Sequence, residues 1–493
     1  MSDQLDRALS AYRNSLPHGT YETLRIDGAD YLGIPIYNVD LFTPDSYYSG
    51  IGYGANETEA LVGAYGELAE DCHLQLSFPE LPIREASYGE LVHEHGKDGV
   101  LDPLTLVLPA GSPYTTDSRL RWVPIERLRD GARVWCPAEF VVSGDWELPD
   151  YGNKLTTCIS NGTGAGDTEE RAILHALLEL LQRDGNADSF RALDRGRVID
   201  PATVSESVRE IIAYLRGKGL DVTLKLARVT CGCASVYAVG DDVSSDAFGL
   251  SATACGEAAD PDINRALRKA VLECASSHSR KRFNNLPFRR LDGDVPDDYF
   301  DRIRAAIDLD TEEERALRAM VEFVTSDKSV VRQRLAGSVF SHRETVAATD
   351  LPTLPQAEVP ERLQYVLRHL AENGMEPYVF RAATAGPDCH AVKVVVPDME
   401  MEFGSYQRIG HRGVQRLLHD DPFKLLSRAP AAGCARIRLT DQRERELGGP
   451  FYLNTARLDA LIEPLYGLYR EPTAHAAPIA LEEDYFESKS IIA

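Results

Sequence analysis

Three stretches of this chain repeat one pattern, and that repetition constrains the fold more than any single motif. In residues 160–184 the glycines Gly162, Gly164 and Gly166 are followed by Asp167, Glu169 and Glu170, and then Ala172, Ala176 and Glu179 fall at i, i+4 and i+7. This spacing marks one face of a helix. Glycine lets another group approach closely because it lacks Cβ, and acids favour a helix start. Two alanines seat the helix near its neighbour, and the same face then delivers a carboxylate. Residues 50–70 carry the second copy, with Gly50, Gly52 and Gly54, then Glu57 and Glu59, then Ala60, Ala64 and Glu67. The third copy keeps Gly256 at the first glycine position, supplies Asp260 and Asp262, and ends on Ala266, Ala270 and Glu273. Each copy predicts a glycine-led loop running into a helix, an internal duplication. The stripe also occurs at Ala456, Ala460 and Glu463 and at Ala476, Ala480 and Glu483, without the glycine lead. There Pro464 and Pro478 predict an interrupted helix.

Around the repeats the pattern is mixed α/β (α+β). Residues 1–20 read as a short helix ending at a Pro-His-Gly break, and residues 22–39 as strand-like runs. Strands are expected at 104–108, 121–124 and 134–142, with a turn at Asp130-Gly131. An amphipathic helix is expected at 204–216 and two strands over 221–239, in which Cys231-Gly-Cys233 belongs to the strand pair. A charged helical segment at 296–323, a helix at 359–373 and strands at 377–381 and 391–396 follow. The acidic stretch 482–490 reads as solvated or as a short docking segment.

The 77 acidic residues against 53 basic ones give a net charge of -24, which argues against a protein that coats nucleic acid or anionic membrane. No stretch is apolar enough to span a bilayer and residues 1–13 lack the apolar core of a signal peptide, so a cytoplasmic protein is expected. Nine scattered cysteines predict free thiols, and the Cys231–Cys233 pair has no second pair at zinc spacing.

If the three units pack around one centre, Glu67, Glu179 and Glu273 converge, and Glu70 joins them one turn after Glu67. Carboxylates crowded together need cations. Hard oxygen ligands favour Mg²⁺, which brings phosphate oxygens with it, and Arg183 and Lys269 stand one turn from Glu179 and Glu273 to meet them. The pattern reads as a Mg²⁺-nucleotide site without a Walker loop. The Gly-x-Gly-x-Gly spacing at 162–166 does not match the dinucleotide fingerprint. His175 reads as a packed or solvated histidine beside the stripe rather than a base, and no nucleophile elbow or His-Glu-x-x-His helix is present.

Residues 32–36 (Leu-Gly-Ile-Pro-Ile), 60–70, Trp122-Val with Leu128, 134–138 (Val-Trp-Cys-Pro-Ala), 162–184, 260–277 and 394–397 (Val-Val-Val-Pro) fall in the order seen in YcaO-domain proteins. The chain resembles a divergent member of that family over roughly residues 20–400, with 1–20 and 401–493 as extensions. The resemblance implies a YcaO-like fold and an ATP- and Mg²⁺-dependent enzyme. Such an enzyme phosphorylates a backbone amide oxygen of a ribosomally made precursor peptide and forms an azoline, a thioamide or an amidine. It implies Glu67, Glu70, Glu179 and Glu273 as metal ligands, with Gln182, Arg183 and Lys269 completing the nucleotide site, and an E1-like or TfuA-like partner protein; a homo-oligomer is left open. The chain departs from the family pattern at Gly63 and Asp71, at Gln182 where a second acid is usual, at Lys269, Ser276 and His278, and at Tyr53 where azoline-forming relatives often carry lysine. The sequence also ends without the Pro-x-Pro-x-Pro tail of many azoline-forming members. Two rival readings are a nucleotide- or peptide-binding scaffold without catalysis and a carboxylate-metal hydrolase.

Overall fold

The computed structural model describes residues 2–148, 154–244, 246–291, 293–401 and 403–486. In chain order the first elements are α1 (Ser2–Ser15), β1 (Thr20–Arg25), β2 (Ile36–Phe42), β3 (Tyr47–Tyr53), α2 (Glu57–Ser77), β4 (Arg84–Ser87), α3 (Tyr88–His95), β5 (Arg119–Arg127) and β6 (Arg133–Pro137). Next come β7 (Thr163–Gly166), α4 (Glu169–Asn186), β8 (Arg197–Ile199), α5 (Glu206–Gly217), β9 (Leu220–Thr230), β10 (Cys233–Asp242), β11 (Thr253–Asp260) and α6 (Ile263–Asn285). The chain continues with α7 (Tyr299–Ala306), α8 (Glu314–Thr325), α9 (Lys328–Leu335), β12 (Glu344–Val346), α10 (Val359–Glu372), β13 (Tyr378–Arg381), β14 (His390–Val395) and α11 (His411–His419). Three short strands and four helices lie between Leu426 and Glu482, among them α12 (Asp441–Leu447), α13 (Thr455–Ile462), α14 (Tyr466–Tyr469) and α15 (Ala476–Glu482).

The strands form an antiparallel β1-β2-β3 sheet, a β4-β5-β13-β14-β7 sheet with β6 paired to β5, a β11-β10-β9-β8-β12 sheet and a small C-terminal sheet. The three repeats are β3–α2, β7–α4 and β11–α6; Gly54 follows β3 and Gly162 is in the turn before β7, while Gly50, Gly52, Gly164, Gly166 and Gly256 lie in the strands. The reason is close packing of each strand on its own helix. A Cβ at Gly52 would stand 2.0 Å from the Ala60 carbonyl oxygen, one at Gly164 2.3 Å from that of Ala172, and one at Gly256 2.1 Å from that of Ala270. The alanine stripe is the matching face, since Ala60, Ala64, Ala172, Ala176, Ala266 and Ala270 are all buried. Each helix is capped by the side chain ahead of it: Asn56 accepts from the Glu59 amide, Thr168 from that of Arg171 and Asp262 from that of Asn264.

Other expectations fare unevenly. The helices at 204–216 and 359–373 and the strands at 377–381 and 391–396 form nearly as read. Residues 104–108 form no strand; Pro103 starts a 3-10 turn there. The strand expected at 134–142 stops at Pro137. Cys231 and Gly232 are the hairpin turn between β9 and β10 rather than strand residues, both with positive φ. The charged segment at 296–323 breaks into α7 and α8. Helices do form at both discarded stripes: Pro464 follows the end of α13, and Pro478 lies in the first turn of α15, where it displaces no intrahelical hydrogen bond. Tyr485 donates to the Leu309 carbonyl at 3.1 Å, so the acidic tail is docked there; residues 487–493 lie outside the described residues.

One apolar cluster joins Ala187 and Phe190 to Phe403, Val414, Leu458 and Ala480, so the segment after residue 400 packs into the body of the molecule. No helix among the described residues is long and apolar enough to cross a membrane. All nine cysteines are unbridged.

Candidate functional site

The close strand–helix packing fixes where each stripe carboxylate emerges. Glu67 on α2 accepts from the Ile51 amide of its own strand at 3.1 Å. Glu179 on α4 accepts from the Gly162 amide at 3.0 Å, the same arrangement in the second unit. In the third unit the partner comes from elsewhere: the Tyr53 hydroxyl, at the end of β3, donates to Glu273 at 2.8 Å. Tyr53 therefore joins the first unit to the third. Glu70 accepts a short hydrogen bond from the Thr163 hydroxyl, which ties α2 to β7.

The predicted residues share one electrostatic environment. Crowding by protein pushes the Glu67 carboxyl up to about 7, with Asp71 and Glu179 adding repulsion. Burial likewise pushes Glu70 up to about 8, with Glu179 and Glu67 opposing its ionisation, and Glu273 is raised by burial too. Glu67 nevertheless keeps an exposed surface, as do His175 and Lys269, so these side chains line an open cleft rather than a sealed core. Arg183 stands 3.4 Å from both Glu179 and Glu257, and those carboxylates with Glu273 hold its charge firmly. Lys269 acts on both Glu273 and His175. The protein packed around His175, with Lys269 beside it, lowers its pKa even though the ring reaches the surface.

Gln182 is tied to a carboxylate that sequence reading did not name. Its amide donates to Glu257 Oε2 at 3.3 Å, and Asn186 donates to the same oxygen at 2.5 Å. A buried acid on β11 thus stands against the position where α4 carries an amide. Glu257 was not singled out from sequence, although an acid directly after the third copy's only glycine was a visible signal. Lys393 was missed as well. It is buried on β14, donates to the Ile159 carbonyl at 2.8 Å, and is pushed down to about 8 by burial while Glu179 and Glu70 oppose the shift. Its signal was a lone lysine inside the apolar run His-Ala-Val-Lys-Val-Val-Val. Arg280, two turns after Glu273, is the cation that most eases the ionisation of Glu67.

The departures at Ser276 and His278 have a different origin. His278 is fully buried between two carboxylates, with Nδ1 2.9 Å from Asp30 and Nε2 3.0 Å from Asp242. It fastens the loop after β1 to α6 and the end of β10, a structural role.

Among the described residues, no group of three or more His, Cys, Asp and Glu side chains is arranged to hold a metal ion by itself. Mg²⁺ does not need such a cage, because it keeps waters and takes one or two carboxylates plus phosphate oxygens. The donors here suit that mode: hard oxygens on carboxyls raised chiefly by burial, with cationic Arg183, Lys269, Arg280 and Lys393 alongside. The residues fit Mg²⁺ and a polyphosphate.

The family model for YcaO cyclodehydratases, described as ATP- and Mg²⁺-binding, matches residues 51–400. This chain belongs to the YcaO family. Among its relatives is an uncharacterized protein of Methanothermobacter thermautotrophicus, 26% identical over 400 residues and covering 80% of this chain and 93% of that one. An uncharacterized Mycobacterium tuberculosis protein is 25% identical over 272 residues, 53% of this chain and 57% of its own length. Of solved structures, a heterocyclase in complex with substrate and cofactor superposes with a TM-score of 0.61 at 18% identity, over 86% of this chain and 55% of that chain. YcaO from Methanopyrus kandleri, bound with AMPPCP and Mg²⁺, superposes with a TM-score of 0.56 at 18% identity, over 83% of this chain and 93% of that one. The fold is therefore the YcaO fold, and ATP and Mg²⁺ are the cofactors of the family to which the chain belongs.

Proposed function

We propose that this YcaO protein uses Mg²⁺-ATP to activate a backbone amide of a ribosomally made peptide. The observation that carries the reading is the convergence of Glu67, Glu179 and Glu273, one from each strand–helix unit, beside Arg183, Lys269 and Lys393. Glu67, Glu70, Glu179 and Glu273 would hold Mg²⁺, and Arg183 and Lys269 the phosphates, with Gln182 acting through Glu257. The bound ion supplies charge neutralisation for phosphoryl transfer; the protein supplies position and electrostatics. The amide oxygen takes the γ-phosphoryl group and ADP leaves. A nucleophile then adds to the amide carbon, and the oxygen departs with phosphate. A Cys, Ser or Thr side chain as nucleophile gives an azoline, sulfide a thioamide and an amine an amidine. We read residues 20–400 as the catalytic unit, with 1–20 and 401–493 as extensions, in a cytoplasmic protein that meets its peptide through an E1-like or TfuA-like partner.

Phosphate release with Glu67→Gln and Glu179→Gln variants tests the site, using the precursor peptide encoded beside the gene. Both variants should lose nearly all turnover while remaining folded; full turnover in either would refute the assignment. Mass spectrometry of the product separates loss of one water from replacement of oxygen by sulfur or nitrogen. The second reading, a scaffold without catalysis, draws on the amide at position 182. It is favoured if calorimetry detects Mg²⁺-ATP binding and no peptide elicits phosphate release.

A further inference from the structure

Outside the carboxylate cleft, the molecule carries a second polar cavity of about 710 Å³ along α11 and beside the C-terminal end of α4. Six arginines line it, Arg195, Arg197, Arg228, Arg343, Arg412 and Arg416, against the three acids Asp188, Glu344 and Asp420. In a chain of net charge -24 such a concentration of guanidinium groups requires a reason.

Internal pairing accounts for only part of it. Asp188 is shared by Arg228 at 2.6 Å, Arg416 at 3.4 Å and Arg195 at 3.5 Å, buried Asp184 takes Arg412 at 2.6 Å and Arg416 at 3.5 Å, and Asp420 takes Arg195 at 3.0 Å. Arg197 and Arg343 have no carboxylate within ion-pair distance among the described residues. Arg197 is held by the Ala227 carbonyl and Arg343 by that of Gly337. Nε of Arg197 and of Arg228 is buried without a hydrogen-bond acceptor, a costly state for a charged donor. Burial and the neighbouring Arg228 also disfavour the charge on Arg197. The cavity therefore carries uncompensated positive charge on fork-shaped donors suited to carboxylates or phosphates.

The surroundings separate those two chemistries. Compact phosphates are held by free backbone amides at helix N-termini. Here the amides of Gly410 and Gly413 at the start of α11 are already taken by Glu400. The cavity runs along α11 from Arg412 to His419 and meets the C-terminal end of α4, whose dipole opposes dense negative charge. Glu344 on its rim opposes it further, and Asp420 there already holds Arg195 at 3.0 Å. Carboxylates spaced along an extended chain could alternate with those acids, and Val229, 45% exposed on β9 between Arg228 and Thr230, offers an apolar contact.

We propose that this arginine-lined cavity is a docking site for an acidic segment of a peptide, separate from the carboxylate cleft. Taking the occupant to be a peptide rests on the function proposed above; the excess positive charge does not. Fluorescence polarisation with the full chain tests it, using a short labelled peptide alternating Glu and Ser, and the same peptide with Gln for Glu. The Glu peptide should bind at least about tenfold tighter, weaken as salt is raised, and lose about tenfold in Arg343→Gln, an exposed position, and in Arg197→Gln. Equal binding of the two peptides, or unchanged affinity in both variants, overturns the site. Tripolyphosphate that binds in an Arg343-dependent way while the Glu peptide does not bind overturns the choice of a peptide. Calorimetry of Mg²⁺-ATP on the same samples keeps the two ideas apart. Lost peptide binding with intact nucleotide binding fails only the docking site, and the reverse fails only the nucleotide assignment.

Discussion

Proton release on loading the nucleotide site follows directly from its electrostatics. Metal ligands must be deprotonated, so binding expels whatever protons the carboxylates hold. With carboxyls pushed up to about 7 and about 8, Glu67 is about half protonated at pH 7 and Glu70 about nine-tenths. Lys393, pushed down to about 8, is already about nine-tenths charged at that pH and takes up only about a tenth of a proton when phosphates arrive. Net release from these three groups is therefore about 1.3 protons at pH 7, falls to about zero near pH 8, and turns into an uptake of about 0.8 proton at pH 9, where both carboxyls are ionised and Lys393 is mostly neutral. Titration calorimetry of Mg²⁺-ATP in buffers of different ionisation enthalpy reads this number as the slope of heat against buffer enthalpy. Glu70→Gln should lower the slope at pH 7 to about 0.4 if the variant still binds. A slope near zero at pH 7 in the wild-type protein would refute the reasoning.

Replacing His278 by Ala leaves Asp30 and Asp242 buried without their shared cation, which should cost about 3–5 kcal/mol in urea unfolding; less than about 1 kcal/mol would count against an ion-paired histidine. The pH signs are distinct. His278 is raised, so its contribution is full below about 6.5 and is lost as pH rises through the folded value; Asp30 and Asp242 are lowered, so theirs is present above about 3.8 and fades as pH falls through theirs. The destabilisation by His278→Ala should accordingly be largest near pH 5–6 and shrink toward both extremes, as urea midpoints across pH would reveal. Gly52→Ala should prevent stable folding or cost more than about 4 kcal/mol, because its Cβ would meet the backbone of α2 2.0 Å away. Gly63→Ala should change the thermal midpoint little, since its Cβ stands 3.2 Å from Gly52 and alanine favours the helix by about 1 kcal/mol.

Local periodicity determined a good deal of this protein. The spacing of Ala60, Ala64 and Glu67, repeated from Ala172 and Ala266, was enough to place three helices and to name the carboxylates on their inner faces, because a helix repeats every 3.6 residues. The motif order from residue 32 to 397 was enough to indicate the YcaO family. What periodicity does not encode is which groups meet across the fold. The glycines read as loops leading into helices, and only the packed structure revealed Gly50, Gly52, Gly164, Gly166 and Gly256 as strand residues pressed on their neighbours. Tyr53 reaching Glu273, Glu257 answering Gln182, Lys393 entering from β14, and His278 locked by Asp30 and Asp242 all join residues from different elements. Such contacts arise from sheet pairing and helix docking, and their pKa shifts arise from the burial that docking creates. The arginines of the second cavity make the same point. They are scattered from Arg195 to Arg416 in sequence, and only the tertiary fold turns them into one field of charge.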